Sequence, residues 1–383
     1  MLTSCSGKGG EYQPVLLGSI LARFGWGVPA LAVAACVPAA DAPIQRVAQA
    51  PAARVAAAAV PPAPPPQLYV PPPPRPSPAL VETVRFLGRE FEGRVGIAIR
   101  RVDTPGWSVD WQGDLPMPQQ SVSKLWVAMT ALDARDKGML RLDQPVTVTR
   151  SDLTLFHQPI ASLVKGDGYQ TDPDELLRRA MTMSDNTAND KLLSLAGGPA
   201  AVNRFLAGKG LTGIKFGPGE RLLQAKTAGL TWKQSYSLGR AFYTARANLP
   251  MATRRAAFDA YVANPPDGAT ANGIARALAK LHRGELLKPD STAYLLRYME
   301  ESKTGRARLK GAMPPGWRLA HKTGTGQDLA GETAGFNDVG LITSPDGTTY
   351  AVAVLIGRTG KPVRDRQSLI QAVATTLIAN HKP

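Results

Sequence analysis

Cysteine is nearly missing from this chain: its 383 residues hold two, Cys5 and Cys36. Everything after Cys36 lacks a thiol, which excludes an intramolecular disulfide framework, a cysteine nucleophile and a thiolate-bound zinc there. Histidine is scarce too. The four present, His157, His282, His321 and His381, form no His-Glu-x-x-His word, so neither a metal site nor a cofactor is expected. Basic residues exceed acidic ones by a net charge of +15, yet no dense basic run interleaved with aromatics exists. Charge scattered in this way solvates a surface and favours anionic envelope components; no nucleic-acid partner is expected.

Proline is abundant but concentrated. Of 33 prolines, 14 fall between Pro38 and Pro78, in a segment otherwise mostly Ala, Val and Gln; it can bury no core and reads as a semi-rigid spacer. Ahead of it, residues 28–35 are apolar, follow Arg23 and run into Cys36. That is the length of a signal-peptide core, too short to span a bilayer. Val33-Ala34-Ala35-Cys36 resembles the lipobox of bacterial lipoproteins, in which the cysteine is lipidated. An ordinary secretory signal cleaved after a small residue is the other reading. Residues 1–22 lack the usual start of such a signal, which suggests an upstream start choice. The expected organisation is a signal over 1–36, a Pro/Ala-rich linker over 37–78 and a globular part over 79–383. Such a product is exported to the periplasm, with a membrane tether if Cys36 carries lipid.

From Ser77 the pattern turns globular. Leu80, Val84, Leu87 and Phe91 predict an amphipathic helix over 78–91. Strands are predicted over 94–102, 107–111, 145–149, 317–321, 334–343 and 348–356, the last two joined by a Pro345-Asp346-Gly347 turn. Further helices are expected over 119–138, 174–183, 187–195 and 363–378, with helix-like runs of unassigned purpose at 234–247 and 251–262.

Ser121 and Lys124 stand three residues apart at the mouth of the second helix, hence on one face, followed by Leu125, Met129 and Leu132. A serine hydroxyl attacks carbonyls poorly until a neighbouring base takes its proton, and a partly buried lysine can be that base. Ser184-Asp185-Asn186 comes 63 residues after Ser121 and by itself reads as the cap of the helix at 187–195. Lys322-Thr323-Gly324-Thr325-Gly326 follows the strand at 317–321. A second Lys-Thr-Gly, at 303–305, follows a helical run and reads as a structural decoy with Gly305 ending the helix.

Ser-x-x-Lys, Ser-Asp-Asn and Lys-Thr-Gly in that order are the set of class A β-lactamases and penicillin-binding proteins. The sequence resembles a class A serine β-lactamase over about 79–383, with further agreement at 183–190, at Gly197-Gly198-Pro199-Ala200 and at Pro315-Gly316-Trp317. The resemblance implies an α/β (α+β) fold: an antiparallel sheet flanked by the terminal helices, an all-α subdomain within about 125–315, and a site in the cleft between them. It implies that Ser121 is acylated, that Lys124 is its proton acceptor or electrostatic partner, and that Ser184 protonates the leaving nitrogen. Asn186 would orient the substrate amide, and Lys322, Thr323, Gly324 and Thr325 would hold its carboxylate. The backbone amides of Ser121 and Thr325 would form the oxyanion hole.

Hydrolysis also needs a base for water. The family's Glu-x-x-Leu-Asn corresponds to Glu220-Arg221-Leu222-Leu223-Gln224, 36 residues past Ser184, and makes Glu220 that base. An exposed glutamate after the Gly217-Pro218-Gly219 turn is the competing reading. Gln224 replaces the water-holding asparagine and is one methylene longer, so slower deacylation is expected. Glu220 and Lys322 lie 102 residues apart, more than the family commonly uses, with the surplus at 232–266. Arg308 stands where some members carry a carboxylate-binding arginine, His157 where others carry an aromatic gatekeeper, and His321 replaces a common aspartate in an expected structural role. The implied activity is β-lactam hydrolysis by a monomer. A DD-peptidase or esterase-like hydrolase, and a penicillin-binding protein without turnover, are the alternatives.

Overall fold

Large β-branched residues on one side and alanines on the other give the central sheet two unlike faces. Its strands are β1 (Arg94–Arg101), β2 (Ser108–Trp111), β3 (Arg318–Thr325), β4 (Phe336–Thr343) and β5 (Thr349–Arg358). They run in the order β2-β1-β5-β4-β3, antiparallel throughout. Val95, Ile97, Ile99, Val352, Val354 and Ile356 are buried on the face covered by the terminal helices Pro78–Glu90 and Val363–Ala379. On the opposite face Ala98, Ala351 and Ala353 allow helix Ala271–His282, itself rich in alanine, to approach closely. The computed structural model describes residues 74–382. The expected signal, the candidate lipidation site and nearly all of the spacer lie outside the described residues.

The first helix is started by its own sequence: Ser77 accepts from the Leu80 amide and Pro78 opens the first turn. The Ser77 hydroxyl also donates to Asn380 Oδ1 at 2.8 Å, joining the two terminal helices. Beyond the alanine face, helix Lys124–Asp136 has ten of its 13 residues buried. It is therefore the hub of a helical body, wrapped on all sides rather than along the single stripe the sequence suggests.

Three predicted helices are interrupted. The one expected over 119–138 opens as a 3-10 turn, Gln120–Ser123. The one over 174–183 is Pro173–Arg178 followed by a π turn, Arg179–Met183. The run at 234–247 divides into a 3-10 turn, Gln234–Ser237, and helix Ala241–Ala247, because Gly239 between them takes φ +66°.

β3 ends the sheet, so one of its edges faces the helical body. At Gly324 a Cβ would lie 2.3 Å from the Gln119 carbonyl oxygen, which explains the glycine. Asn337 on β4 donates from Nδ2 to the carbonyls of Pro118 at 2.8 Å and Gln119 at 3.0 Å. The sheet thus fixes the turn that carries Ser121.

Candidate active site

The turn bearing Ser121 is held from both sides. Gln120 has φ +54°, an uncommon conformation for a non-glycine residue that surrounding structure must enforce. Its amide donates to Asp267 Oδ2 at 2.8 Å, and its Nε2 to Tyr261 Oη at 2.7 Å and the Ala334 carbonyl at 3.1 Å. Tyr261 in turn donates to Asp267 Oδ2 at 3.1 Å. Burial pushes the Asp267 carboxyl up to about 6.

One turn later, Lys124 is fully buried at the centre of a polar cluster. Its Nζ donates to Ser121 Oγ at 2.8 Å, to Asn186 Oδ1 at 2.9 Å and to Glu220 Oε1 in a short ion pair. The Ser121 hydroxyl and the Glu220 carboxylate are therefore separated by no more than one shared nitrogen. Glu220 is 3% exposed, which rules out the reading as a surface glutamate. It opens helix Glu220–Thr227 after Gly219 at φ +94°, and Asp190 accepts from the amides of Glu220 at 2.9 Å and Arg221 at 3.2 Å. Burial, and next the Glu220 charge, push the Asp190 carboxyl up to about 6. Gln224, one turn on, donates from Nε2 to Glu220 Oε2 at 3.2 Å and Gln120 Oε1 at 3.0 Å. It braces the Glu220 carboxylate directly and links it to the Ser121 turn.

The π turn ends at Ser184 with φ +61°, which turns the hydroxyl toward β3. Lys322 Nζ donates to Ser184 Oγ at 2.8 Å. Burial, then the nearby Lys124 charge, hold the Lys322 ammonium well below the usual lysine range. Asp185 caps helix Asn186–Leu195, as the simplest reading of Ser-Asp-Asn requires. Asn186 serves the site instead: its Nδ2 donates to the Leu155 carbonyl at 2.8 Å and its Oδ1 accepts from Lys124.

These side chains surround a cleft of about 420 Å³ lined by Ser121, Ser184, Asn186, Gln224, Thr323 and Thr325 among others. His157 also lines it. Arg308 reaches its far wall, donating to the Gly324 and Asn337 carbonyls at 3.0 and 2.7 Å and to Thr325 Oγ1 at 2.5 Å, with the guanidinium 3.7 Å above the Phe336 ring. Burial pushes its pKa down to about 10. His321 is buried with Nδ1 against Asp338 at 2.9 Å, behind the cleft.

The second Lys-Thr-Gly is not the decoy its sequence suggests. The preceding helix ends at Glu300, and Thr304 meets Thr323 hydroxyl to hydroxyl at 2.9 Å in the wall of the cleft. Gly305 has φ +70°, and a Cβ there would lie 2.5 Å from Thr323 Cγ2; close approach to the first motif, not helix termination, requires glycine. Gln120, Asp190, Tyr261, Asp267 and Thr304 are the positioning residues that sequence reasoning missed. Two of them carried a signal: Asp190 is the last residue of the word that begins at Met183, and Thr304 is the centre of the second Lys-Thr-Gly.

The surplus segment has a place as well. Tyr236 and Phe242 pack with Leu155 and Ala228, and Phe156 meets Phe242 edge-on at 5.2 Å. Helix Met251–Ala263 supplies Tyr261 beneath Gln120.

Comparison with known proteins gives a consistent result. A sequence profile described as the beta-lactamase enzyme family matches residues 79–381. The extended-spectrum beta-lactamase PER-1 of Pseudomonas aeruginosa is 31% identical over 307 residues, 78% of this chain and 86% of the relative. Among solved structures, a beta-lactamase from Chitinophaga pinensis superposes with TM-score 0.64 at 27% identity, covering 78% of this chain and 97% of the other. An ancestral class A beta-lactamase does so with TM-score 0.61 at 28% identity, over 78% and 99%.

Proposed function

The chain belongs to the beta-lactamase enzyme family and is a class A-like β-lactamase, and on that premise we propose that it hydrolyses the β-lactam amide through an acyl-enzyme on Ser121, with Glu220 activating the deacylating water. The observation that carries this reading is that Ser121 Oγ and Glu220 Oε1 both bond to Lys124 Nζ. In acylation Ser121 Oγ attacks the lactam carbonyl carbon while its proton passes to the Lys124–Glu220 pair. The ring C–N bond breaks, and the nitrogen takes a proton from Ser184, whose oxygen Lys322 holds; the proton that the Lys124–Glu220 pair took from Ser121 replaces it, which leaves Glu220 a carboxylate again. In deacylation Glu220 takes a proton from water as its oxygen attacks the ester; the bond to Ser121 Oγ breaks and the hydroxyl is restored.

Substrate binding follows the same wall. The carboxylate lies against Thr323 and Thr325, with Gly324 keeping the strand close and Lys322 and Arg308 supplying charge. Asn186 and Gln224 meet the amide-side substituent. The amides of Ser121 and Thr325 stabilise the tetrahedral oxyanion. Buried Glu220 argues against the penicillin-binding protein without turnover, since a protein that stays acylated needs no water-activating carboxylate there.

A chromogenic cephalosporin tests the reading. Many equivalents hydrolysed per protein support it; a burst of one equivalent, or inertness alongside peptide or ester cleavage, would replace it. Export as a monomer, with Cys36 a candidate membrane anchor, is proposed from the sequence, and intact mass of the mature amino terminus checks the anchor.

A further inference from the structure

Two arginines of the surplus segment, Arg246 and Arg254, have no acidic partner among the described residues. Arg246, on helix Ala241–Ala247, lines the same cleft as Ser121, and Arg254, on helix Met251–Ala263, shares with it a small crevice beside Thr227, Ala228 and Gln327. Among the described residues no carboxylate lies within ion-pair distance of either guanidinium, whereas Arg255 on the same helix is paired with both Asp259 and Glu332. Arg246 donates once, to the Asp328 carbonyl at 2.5 Å. The Asp328 carboxylate is itself exposed and faces Arg366 at 4.0 Å. Arg254 Nε is buried with no hydrogen-bond partner. Burial and next the neighbouring Arg254 charge lower the Arg246 pKa, a shift that the Asp328 charge opposes without cancelling. Leaving such groups unpaired is costly unless an anion arrives.

Position says which part of a substrate would bring that anion. Arg308 serves the Thr323–Thr325 side of the cleft, where the ring carboxylate is proposed to lie. Arg246 sits instead by Gln327, whose Nε2 bonds the Gln224 carbonyl at 2.8 Å, on the side of the amide substituent. Above it, Phe156 and Tyr243 form an aromatic rim with ring centroids 6.4 Å apart, both partly exposed. We infer that Arg246, supported by Arg254, is a specificity-determining receptor for a carboxylate on the amide-side substituent of a β-lactam. This rests on the proposed function and extends it to a substrate class: substituents that are aromatic and anionic together.

The matched pair benzylpenicillin and its α-carboxy analogue, carbenicillin, isolates the effect. The quantity read is the ratio of kcat/KM for the carboxylated over the plain substrate. Arg246→Gln should lower that ratio roughly tenfold, chiefly through KM, as loss of a charge-assisted hydrogen bond implies. Arg246→Lys should retain most of it, Arg254→Gln should lose part, and added salt should erode the ratio in the unsubstituted protein and in Arg246→Lys but not in Arg246→Gln. A ratio within about twofold of the unsubstituted protein in both Gln variants would overturn the inference. If Arg246→Gln does not fold, the Arg254→Gln ratio and the salt response decide. Failure of the unsubstituted protein to turn over either penicillin would instead refute the proposed function, and the receptor with it.

Discussion

The two sides of the cleft are built in different ways. On one, Ser121, Lys124 and Ser184 lie on or beside short turns, a 3-10 turn and a π turn, and the turn of Ser121 is pinned from outside by Asp267, Tyr261 and Asn337. On the other, Glu220 is braced by Gln224 one turn on and by groups far along the chain: Asp190 under its amide, and Gln120, which links Gln224 to Asp267. The difference separates two tasks. Acylation needs a nucleophile and its proton acceptor within one turn, whereas deacylation needs a carboxylate from elsewhere held against that nucleophile. Gln120 ties the two together, since it adjoins Ser121 and accepts from Gln224.

The largest break is on the nucleophile's side. Ser121→Ala should lower hydrolysis of a chromogenic cephalosporin by at least about 10⁴-fold, with no covalent adduct by mass spectrometry. Next, Asp267→Ala leaves the Gln120 amide and Tyr261 hydroxyl without their acceptor and frees Gln120 from its left-handed conformation. Steady-state kcat should fall by about 10 to 100-fold with KM changed less, because small misplacements of catalytic groups are costly. Single-turnover measurements should find both acylation and deacylation slowed, because Gln120 adjoins Ser121 and bonds Gln224; loss confined to one step would contradict that link.

The smallest expected effect is thermodynamic. Folding raises the Asp190 pKa from 3.8 to about 6, so the folded state holds the proton more tightly than the unfolded one. That stabilisation is complete below about pH 4 and lost as pH rises through about 6, by roughly 3 kcal/mol. Asp190→Asn cannot titrate. The stability of the unsubstituted protein minus that of the variant, from urea unfolding, should therefore decline between those pH values; a flat or rising difference would contradict the assignment.

Legibility followed the same division. Both terminal helices, the sheet strands and the Ser121–Lys124 pair could be read because period and spacing are local properties. Gln224 was recognisable as an asparagine replacement, but not that its amide would bond Glu220 and Gln120, since Gln120 lies 104 positions away. Lys303-Thr304-Gly305 was misread for a related reason: its glycine answers to Thr323 across the cleft, not to the helix before it. The break at Gly239 could have been suspected from the glycine alone. What it allows, helix Ala241–Ala247 turning Phe242 onto Phe156, depends on partners that no periodicity announces.

The most direct test of the central claim is the fate of Glu220→Gln, which keeps the side chain's shape and an oxygen for Lys124 but removes the base. After mixing with excess cephalosporin, intact-mass spectrometry should find the variant almost wholly acylated, on a peptide containing Ser121, and hydrolysis should stop after one equivalent. Full turnover with no accumulated adduct would mean that another group activates the water.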